Sequence, residues 1–98
     1  MRILAIEREI SGVTQEQFEP HLKAEATRVW ELYQAGVLRE LYFRQGMHSA
    51  VLFLECVDAE EANEVLNTLP LVKKGLIAFD IIPLIAYPGF SRLFAEGR

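Results

Sequence analysis

The sequence predicts one α+β domain in which four strands and two helices follow the order β-α-β-β-α-β. Two segments repeat apolar residues at helical spacing, and glycine or proline separates the segments from one another. The last apolar run, residues 76–84, is rich in isoleucine and is interrupted by a single charge, Asp80. Its lack of alternation indicates a strand that is covered on both faces. Two helices cover only one face of a sheet, so we expect a second copy of the chain to cover the other.

Composition excludes several classes of protein. The chain has 98 residues, 51% of them hydrophobic, and a net charge of -4, which predicts one globular domain over residues 1–98 and argues against nucleic-acid binding. The single cysteine, Cys56, forms no internal disulfide. No apolar stretch reaches the length of about 20 residues that spans a membrane, and residues 1–9 lack a signal-peptide pattern. A cytoplasmic protein without membrane or nucleic-acid partners is therefore expected.

The first half of the chain predicts a strand followed by a helix. Residues 2–9 form the strand, and a short turn over residues 15–19 leads into the main helix at residues 20–35. Gly36 ends this helix as a left-handed cap. The predicted apolar stripe of the helix consists of Leu22, Ala26, Val29 and Tyr33.

The second half predicts a hairpin, a helix and a last strand. Residues 37–45 and 49–57 form the hairpin, and Asp58 caps the second helix with Glu61 in the reciprocal position. Pro70 stops that helix. This order is the ferredoxin-like split motif, with a four-stranded antiparallel sheet and both helices on one face. Two such sheets packed face to face make a dimeric α+β barrel. Residues 86–98 form a C-terminal tail expected to contact a partner subunit.

Several short motifs resemble the muconolactone isomerase family. They are Gly36-x-x-Arg39, Tyr42-x-Arg44-x-Gly46, Glu61-Ala62 and Leu69-Pro70-Leu71. The resemblance implies a small ferredoxin-like protein that shifts a double bond in an unsaturated lactone and assembles from dimers into a ring. The register of the first helix is shifted by one residue from the family pattern, so no role is carried over to Lys23 or Glu25.

Tyr42 and Arg44 are the first pair of candidate site residues. They lie two apart on the second strand, so their side chains share a face with Leu38 and Glu40. Arginine suits a substrate carboxylate, and tyrosine donates a hydrogen bond to a developing enolate. The alternative is a strand end whose polar residues meet water or a partner subunit.

Glu7 and Asp80 are the second pair, because each interrupts an apolar strand. If the first and last strands are neighbours, the two carboxylates approach each other, and burial in an apolar pocket makes either one a proton shuttle. The alternative is that each pairs with Arg8, Arg39 or Arg44, or lies at the rim of the sheet.

The two histidines complete the candidate set. His21 and Glu25 are one helical turn apart and suit an acid–base pair or a metal ion, or else face solvent. No third ligand is evident, so we predict no metal site. His48 lies in the hairpin turn and is a candidate base because the ordinary pKa of histidine is near neutrality.

These residues support a cofactor-free isomerase that acts on a small organic acid or lactone. A carboxylate or histidine would move the proton, Arg44 would hold the anion and Tyr42 would polarise the carbonyl group. Two alternatives remain open: a non-catalytic barrel for ligand binding or assembly, and a cofactor-free oxygenase with Trp30 or Tyr42 in a dry pocket.

Overall fold

The computed structural model describes residues 1–94, and its elements follow the predicted order. The strands are β1 (Arg2–Glu9), β2 (Leu38–Phe43), β3 (Ala50–Glu55) and β4 (Ile77–Pro83). The helices are α1 (Gln15–Phe18), α2 (Leu22–Gln34), α3 (Ala59–Leu66) and α4 (Pro70–Lys73). Two 3₁₀ segments, Glu19–His21 and Gly89–Phe94, precede α2 and follow β4. Residues 95–98 of the predicted tail lie outside the described residues.

The sheet is antiparallel with strand order β2-β3-β1-β4, which confirms the predicted α+β ferredoxin-like class. Its register places Ile3 and Ala5 of β1 beside Leu54 and Leu52 of β3, and all four side chains are buried. They form one core with residues of α2, α3 and the turn before α4, namely Leu32, Ala62, Leu66 and Leu69. Both main helices therefore cover the same face of the sheet, as predicted.

The opposite face of the sheet, called the open face below, carries the alternate residues of every strand. Leu4 and Ile6 of β1 are flanked by Phe53 and Val51 of β3 and by Ile82 and Asp80 of β4. No helix of residues 1–94 enters a shared core with these side chains. The open face is thus an apolar strip that the described chain leaves uncovered, as the apolar excess of β4 predicted.

Helix ends follow the predicted capping residues, with one exception. Gly36 has φ 78°, and the N–H groups of Gly36 and Val37 donate to the carbonyls of Tyr33 and Leu32. The Asp58 carboxylate accepts the Glu61 N–H at 2.8 Å. The prediction for Pro70 is wrong, because α3 already ends at Leu66 and Pro70 instead begins α4. Proline is tolerated at the first position of a helix, since the N–H of that residue has no partner within the helix.

Strand β2 departs from the prediction because of a β-bulge between Leu38 and Glu40. Leu38 pairs with Leu54 and is buried in the core, whereas Tyr42 pairs with Val51 on the open face. The extra residue, Arg39, donates a hydrogen bond from Nε to the Gly36 carbonyl. Leu38 therefore does not share a face with Tyr42, since a bulge reverses the alternation of the residues that follow it.

The main helix also differs in its start and in its buried face. It begins at Leu22, because Pro20 and His21 belong to the preceding 3₁₀ segment. Leu32 is its buried residue, while the side chain of Tyr33 is 47% exposed and stacks on Trp30. None of the helices in the described part of the chain has the length and apolarity needed to cross a membrane.

Candidate functional site

Two adjoining cavities lie on the helix-covered face of the sheet, beside the C-terminal end of β1. The first, of about 290 Å³, is bordered by Phe18, Glu19, Leu22, Phe43, His48 and Ile77. The second, of about 420 Å³, is bordered by Glu25, Ala26, Val29, Leu41, Leu52 and Phe79. Five residues border both cavities: Glu7, Leu22, Phe43, Leu71 and Ile77. Most of the wall is apolar, and the polar groups that enter it are few.

Glu7 is the acidic residue common to the two cavities. Its Oε1 accepts a hydrogen bond from the Ala50 N–H at 3.0 Å, which ties β1 to the first residue of β3. Partial burial raises the pKa of Glu7 above its ordinary value, and the Ala50 N–H only partly offsets that effect. The negative charge of Glu9 raises the pKa further and nearby His48 lowers it. Glu7 is therefore a carboxyl whose proton affinity is enhanced by an apolar wall.

Glu25 is a second carboxyl on the same cavity wall, whereas the sequence suggested it only as a partner of His21 or as a solvent-facing residue. Its Oε1 accepts the Leu71 N–H at 2.9 Å. Burial raises the pKa of Glu25, the Leu71 N–H lowers it, and the charge of Glu7 raises it again. The signal in the sequence is its position: Glu25 lies within the apolar stripe of α2, three residues after Leu22 and four before Val29.

His48 and Arg44 lie at the β2–β3 hairpin, at different distances from the cavities. His48 borders the first cavity, and its imidazole stacks on Phe43 with ring centroids 5.4 Å apart. Arg44 borders a shallower depression, which it shares with His48, Gln15 and Phe43. The structure therefore brings His48 to the same cavity as Glu7, whereas Arg44 lies beyond its rim.

Asp80 does not approach Glu7, so the predicted pairing of these two carboxylates is wrong. Asp80 stands opposite Ile6 in the β1–β4 ladder, and Glu7 stands opposite Phe79. Neighbours along a strand point to opposite faces of the sheet. Glu7 thus faces the helices, and Asp80 lies on the open face, where it pairs with Arg8 at 3.1 Å. That ion pair is the alternative that the sequence left open.

Tyr42 borders a cavity together with the two carboxyls, whereas His21 lies apart from them. Tyr42 borders the second cavity, but its hydroxyl donates to Glu40 Oε1 at 2.8 Å on the exposed side of β2. This hydrogen bond raises the pKa of Tyr42. His21 is partly buried in the 3₁₀ segment and borders neither cavity. Within residues 1–94, no group of three or more His, Cys, Asp and Glu side chains is placed to hold a metal ion.

Oxygenase chemistry was expected to need Trp30 or Tyr42 in a dry pocket, and the structure places neither side chain in one. The Trp30 side chain is 57% exposed and stacks on Tyr33 at 5.9 Å, away from both cavities. The Tyr42 hydroxyl is engaged by Glu40. What the cavities do offer is a pair of carboxyls in apolar surroundings, a set that suits proton transfer near neutral pH.

Comparison with known proteins gives a family and two related folds. The family model described as muconolactone delta-isomerase matches residues 6–89. No curated protein matches the chain. The fold is similar to that of muconolactone isomerase, with a TM-score of 0.72, 16% identity, and coverage of 90% of this chain and 92% of that one.

A second solved structure is similar to the same extent. It is the 5-chloro-2-hydroxyhydroquinone dehydrochlorinase TftG from Burkholderia phenoliruptrix AC1100, in complex with 2,5-dihydroxybenzoquinone. Its TM-score is 0.71 at 16% identity, and the match covers 91% of this chain and 98% of that one. The two structures share the fold described above, and the family match extends from β1 to the tail that follows β4. The chain therefore belongs to the muconolactone delta-isomerase family.

Proposed function

We propose that the protein is a cofactor-free isomerase that shifts a proton, and with it a double bond, in a small unsaturated acid or lactone. The observation that carries this proposal is Glu7, a carboxyl in an apolar cavity that is held in place by the Ala50 N–H and has a raised pKa. Membership of the muconolactone delta-isomerase family supports the reaction class.

In the proposed reaction, ionised Glu7 removes a proton from the carbon next to the substrate carbonyl. The C–H electron pair moves into an extended enolate, and the proton now on Glu7 returns to the far carbon of that system. One C–H bond breaks and another forms, the double bond moves, and no electrons are gained or lost. A carboxyl whose pKa is raised above its ordinary value is a stronger base when ionised, which favours removal of the substrate proton.

Glu25 is proposed to assist from the same wall. Its pKa is raised by burial and by the charge of Glu7, so ionisation of Glu7 favours the protonated form of Glu25. A protonated carboxyl donates a hydrogen bond, which stabilises negative charge as it develops on the substrate oxygen. His48, which borders the first cavity, is a second donor for the same oxygen. A carboxylate held by Arg44 would have to lie outside both cavities, in the hairpin depression.

A pair of matched variants tests the role of Glu7. Glu7→Gln keeps an oxygen for the Ala50 N–H but removes the proton carrier, and Asp80→Asn makes the same change on the open face. The readout is double-bond migration and deuterium uptake in a γ-methyl butenolide, followed by proton NMR in D₂O. We expect Glu7→Gln to lower the rate by about 10²–10⁴-fold. Asp80→Asn should stay within about threefold, and unchanged exchange in Glu7→Gln would refute the proposal.

The proposed assembly unit is a homodimer formed by two open faces. Its support is the apolar strip centred on Leu4, Ile6 and Phe53, which no helix of the described chain covers. The segment after β4 adds apolar surface: the side chains of Tyr87, Phe90 and Leu93 are 66–76% exposed, and the molecule extends over 61 Å in its longest direction against 28 and 22 Å in the others. We propose that this tail also contacts a neighbouring copy, and native mass spectrometry tests the dimer directly.

A further inference from the structure

We infer that Arg28 and Thr68 are positioning residues for the Glu25 carboxyl of the second cavity. Their hydrogen bond fixes the turn between α3 and α4, and that turn supplies the backbone N–H that holds Glu25 in place. The inference rests on the proposed function for the task of Glu25 in the reaction. The contacts that carry it are independent of that function, so the two are tested separately.

Glu25 is held by a backbone group that α4 cannot satisfy by itself. The N–H groups in the first turn of a helix have no acceptor within that helix. In α4 the first residue is Pro70, which has no N–H, and the apolar Leu69 before it offers no side-chain cap. The Glu25 carboxyl of α2 accepts the Leu71 N–H at 2.9 Å instead. The cavity carboxyl therefore also caps a helix, and its orientation depends on where α4 begins.

A second hydrogen bond joins the same two parts of the chain one helical turn further along α2. Arg28 Nε donates to Thr68 Oγ1 at 2.9 Å in a partly buried contact, and the guanidinium also pairs with Glu31 at 3.2 Å. Thr68 Oγ1 donates its own proton to the Val65 carbonyl at 2.6 Å, which leaves a lone pair for the arginine. Glu25 and Arg28 are three residues apart on α2, and their partners are three apart in the turn. The two hydrogen bonds are thus adjacent ties between the same segments.

Apolar packing alone does not set the direction of the Leu71 N–H. The side chains of Leu69 and Leu71 are 2% and 8% exposed, and their burial fastens the turn to the core. Apolar contacts are non-directional, whereas a hydrogen bond weakens steeply when its angle departs from linear. A turn that kept its leucines buried but lost the Arg28 contact would be free to rotate its N–H away from the carboxyl. The bond to Thr68 removes that freedom.

The surroundings of Glu25 give the loss of this N–H a recognisable sign. From β1, the charge of Glu7 raises the pKa of Glu25, and from α4 the Leu71 N–H lowers it. Lys73, the charged residue of α4, is exposed. Removal of the N–H therefore raises the pKa of Glu25 further, whereas entry of water into the cavity would lower it. The direction of the change identifies its cause.

NMR spectroscopy of the full chain without substrate tests the inference. Thr68→Val removes the hydroxyl at nearly constant volume, and Thr68→Ser keeps it. The readouts are hydrogen exchange of the Leu71 amide and the pKa of Glu25 from the pH dependence of its carboxyl carbon shift. We expect Thr68→Val and Arg28→Met each to speed exchange of that amide by about tenfold or more and to raise the pKa. Thr68→Ser should retain both wild-type values, as should Thr27→Val, which removes an exposed hydroxyl from α2.

Three outcomes of Thr68→Val overturn the inference: unchanged values, a lowered pKa of Glu25, and faster exchange spread evenly over α2, which would show a general loss of stability. The proposed function is tested apart from this, by the pH profile of proton exchange in the γ-methyl butenolide. Because protonated Glu25 is the proposed donor, the alkaline limb of that profile should move to higher pH in Thr68→Val. A raised pKa in a protein without exchange refutes the isomerase alone. An active protein whose profile does not follow the pKa overturns the task of Glu25, and with it the inference.

Discussion

Charged residues on the two faces of the sheet differ in their exposure and in their partners. On the open face, charges are exposed and paired: Arg8 with Asp80 at 3.1 Å, and Arg2 with Glu55 at 3.4 Å. On the helix-covered face, Glu7 accepts a backbone N–H instead of a cation, and its pKa is raised by burial. Within residues 1–94, it forms no ion pair. Acidic residues are thus paired with a cation on one face, whereas on the other face the surroundings of Glu7 raise its pKa.

This difference in surroundings distinguishes a structural carboxylate from a candidate catalytic one more clearly than the residue type does. An exposed ion pair contributes little to stability and has no free proton to exchange at neutral pH. A carboxyl in an apolar wall keeps its proton to a higher pH and is ready to exchange it. Glu7 and Asp80 looked equivalent in the sequence, and only the face on which each lies distinguishes them.

The largest expected effect comes from placing a charge in the centre of the open face. Phe53→Asp introduces a carboxylate beside Leu4, where two copies are proposed to meet. Because an unpaired charge would be buried in the contact, the dimer dissociation constant should rise by about 100-fold or more. Sedimentation equilibrium measures this change.

Phe53→Leu is the matched control for that experiment, since it changes the shape of the face without adding a charge. It should retain the dimer. A Phe53→Asp protein that is folded by circular dichroism and has the same mass as the wild type would show that the open face is not the contact.

A smaller effect is expected for the pH dependence of stability. The folded protein raises the pKa of Glu25 above its ordinary value near 4.5, so the folded state binds more protons than the unfolded state above that pH. Stability from this group is therefore lost as pH rises through the raised pKa. Glu25→Gln removes the loss and keeps an oxygen for the Leu71 N–H.

Thermal denaturation at pH 4 and pH 8, at one protein concentration, provides the measurement. The variant should melt about 2–5 °C higher than the wild type at pH 8 and show no gain at pH 4. Glu16→Gln on exposed α1 serves as the control. A melting difference that does not vary with pH would contradict the assigned cause.

The smallest effect is expected for the Arg8–Asp80 ion pair. Both side chains are about 60% exposed, so water and salt screen their attraction. A double-mutant cycle with Arg8→Ala and Asp80→Asn, measured by urea unfolding, should give a coupling free energy of about 0.2–1 kcal/mol. A coupling well above that range would mean that the pair is buried in the assembled protein.

Local signals in the sequence predicted most of the fold. Gly36 and Asp58 end and begin helices by hydrogen bonds that involve only their near neighbours, so the residue types were sufficient. The two-residue alternation of β3 likewise separates the buried Leu52 and Leu54 from Phe53, which lies between them. Strand order followed from the β-α-β-β-α-β motif, because that motif has few compact arrangements.

Features that depend on pairing between distant strands were not predicted. The bulge at Arg39 and the offset between Glu7 and Asp80 are properties of register, and a shift of one residue reverses every face. Glu25 was misjudged because the helix was treated as amphipathic in isolation. Its hydrogen bond to the Leu71 N–H joins residues 46 positions apart, which helical periodicity does not reveal.

The central position of β1 has a consequence for how the chain folds. β1 begins at Arg2, yet one of its two neighbours is β4, which begins only at Ile77. Contacts between distant parts of a chain form slowly, because closing a long loop costs entropy before any stabilising contact is made. During synthesis, β1 lacks its β4 partner until most of the chain has been made. Ile77 and Phe79 belong to that last strand, so the cavity walls around Glu7 are completed late. Chains that end before β4 would expose the unpaired edge of β1, which is prone to aggregation.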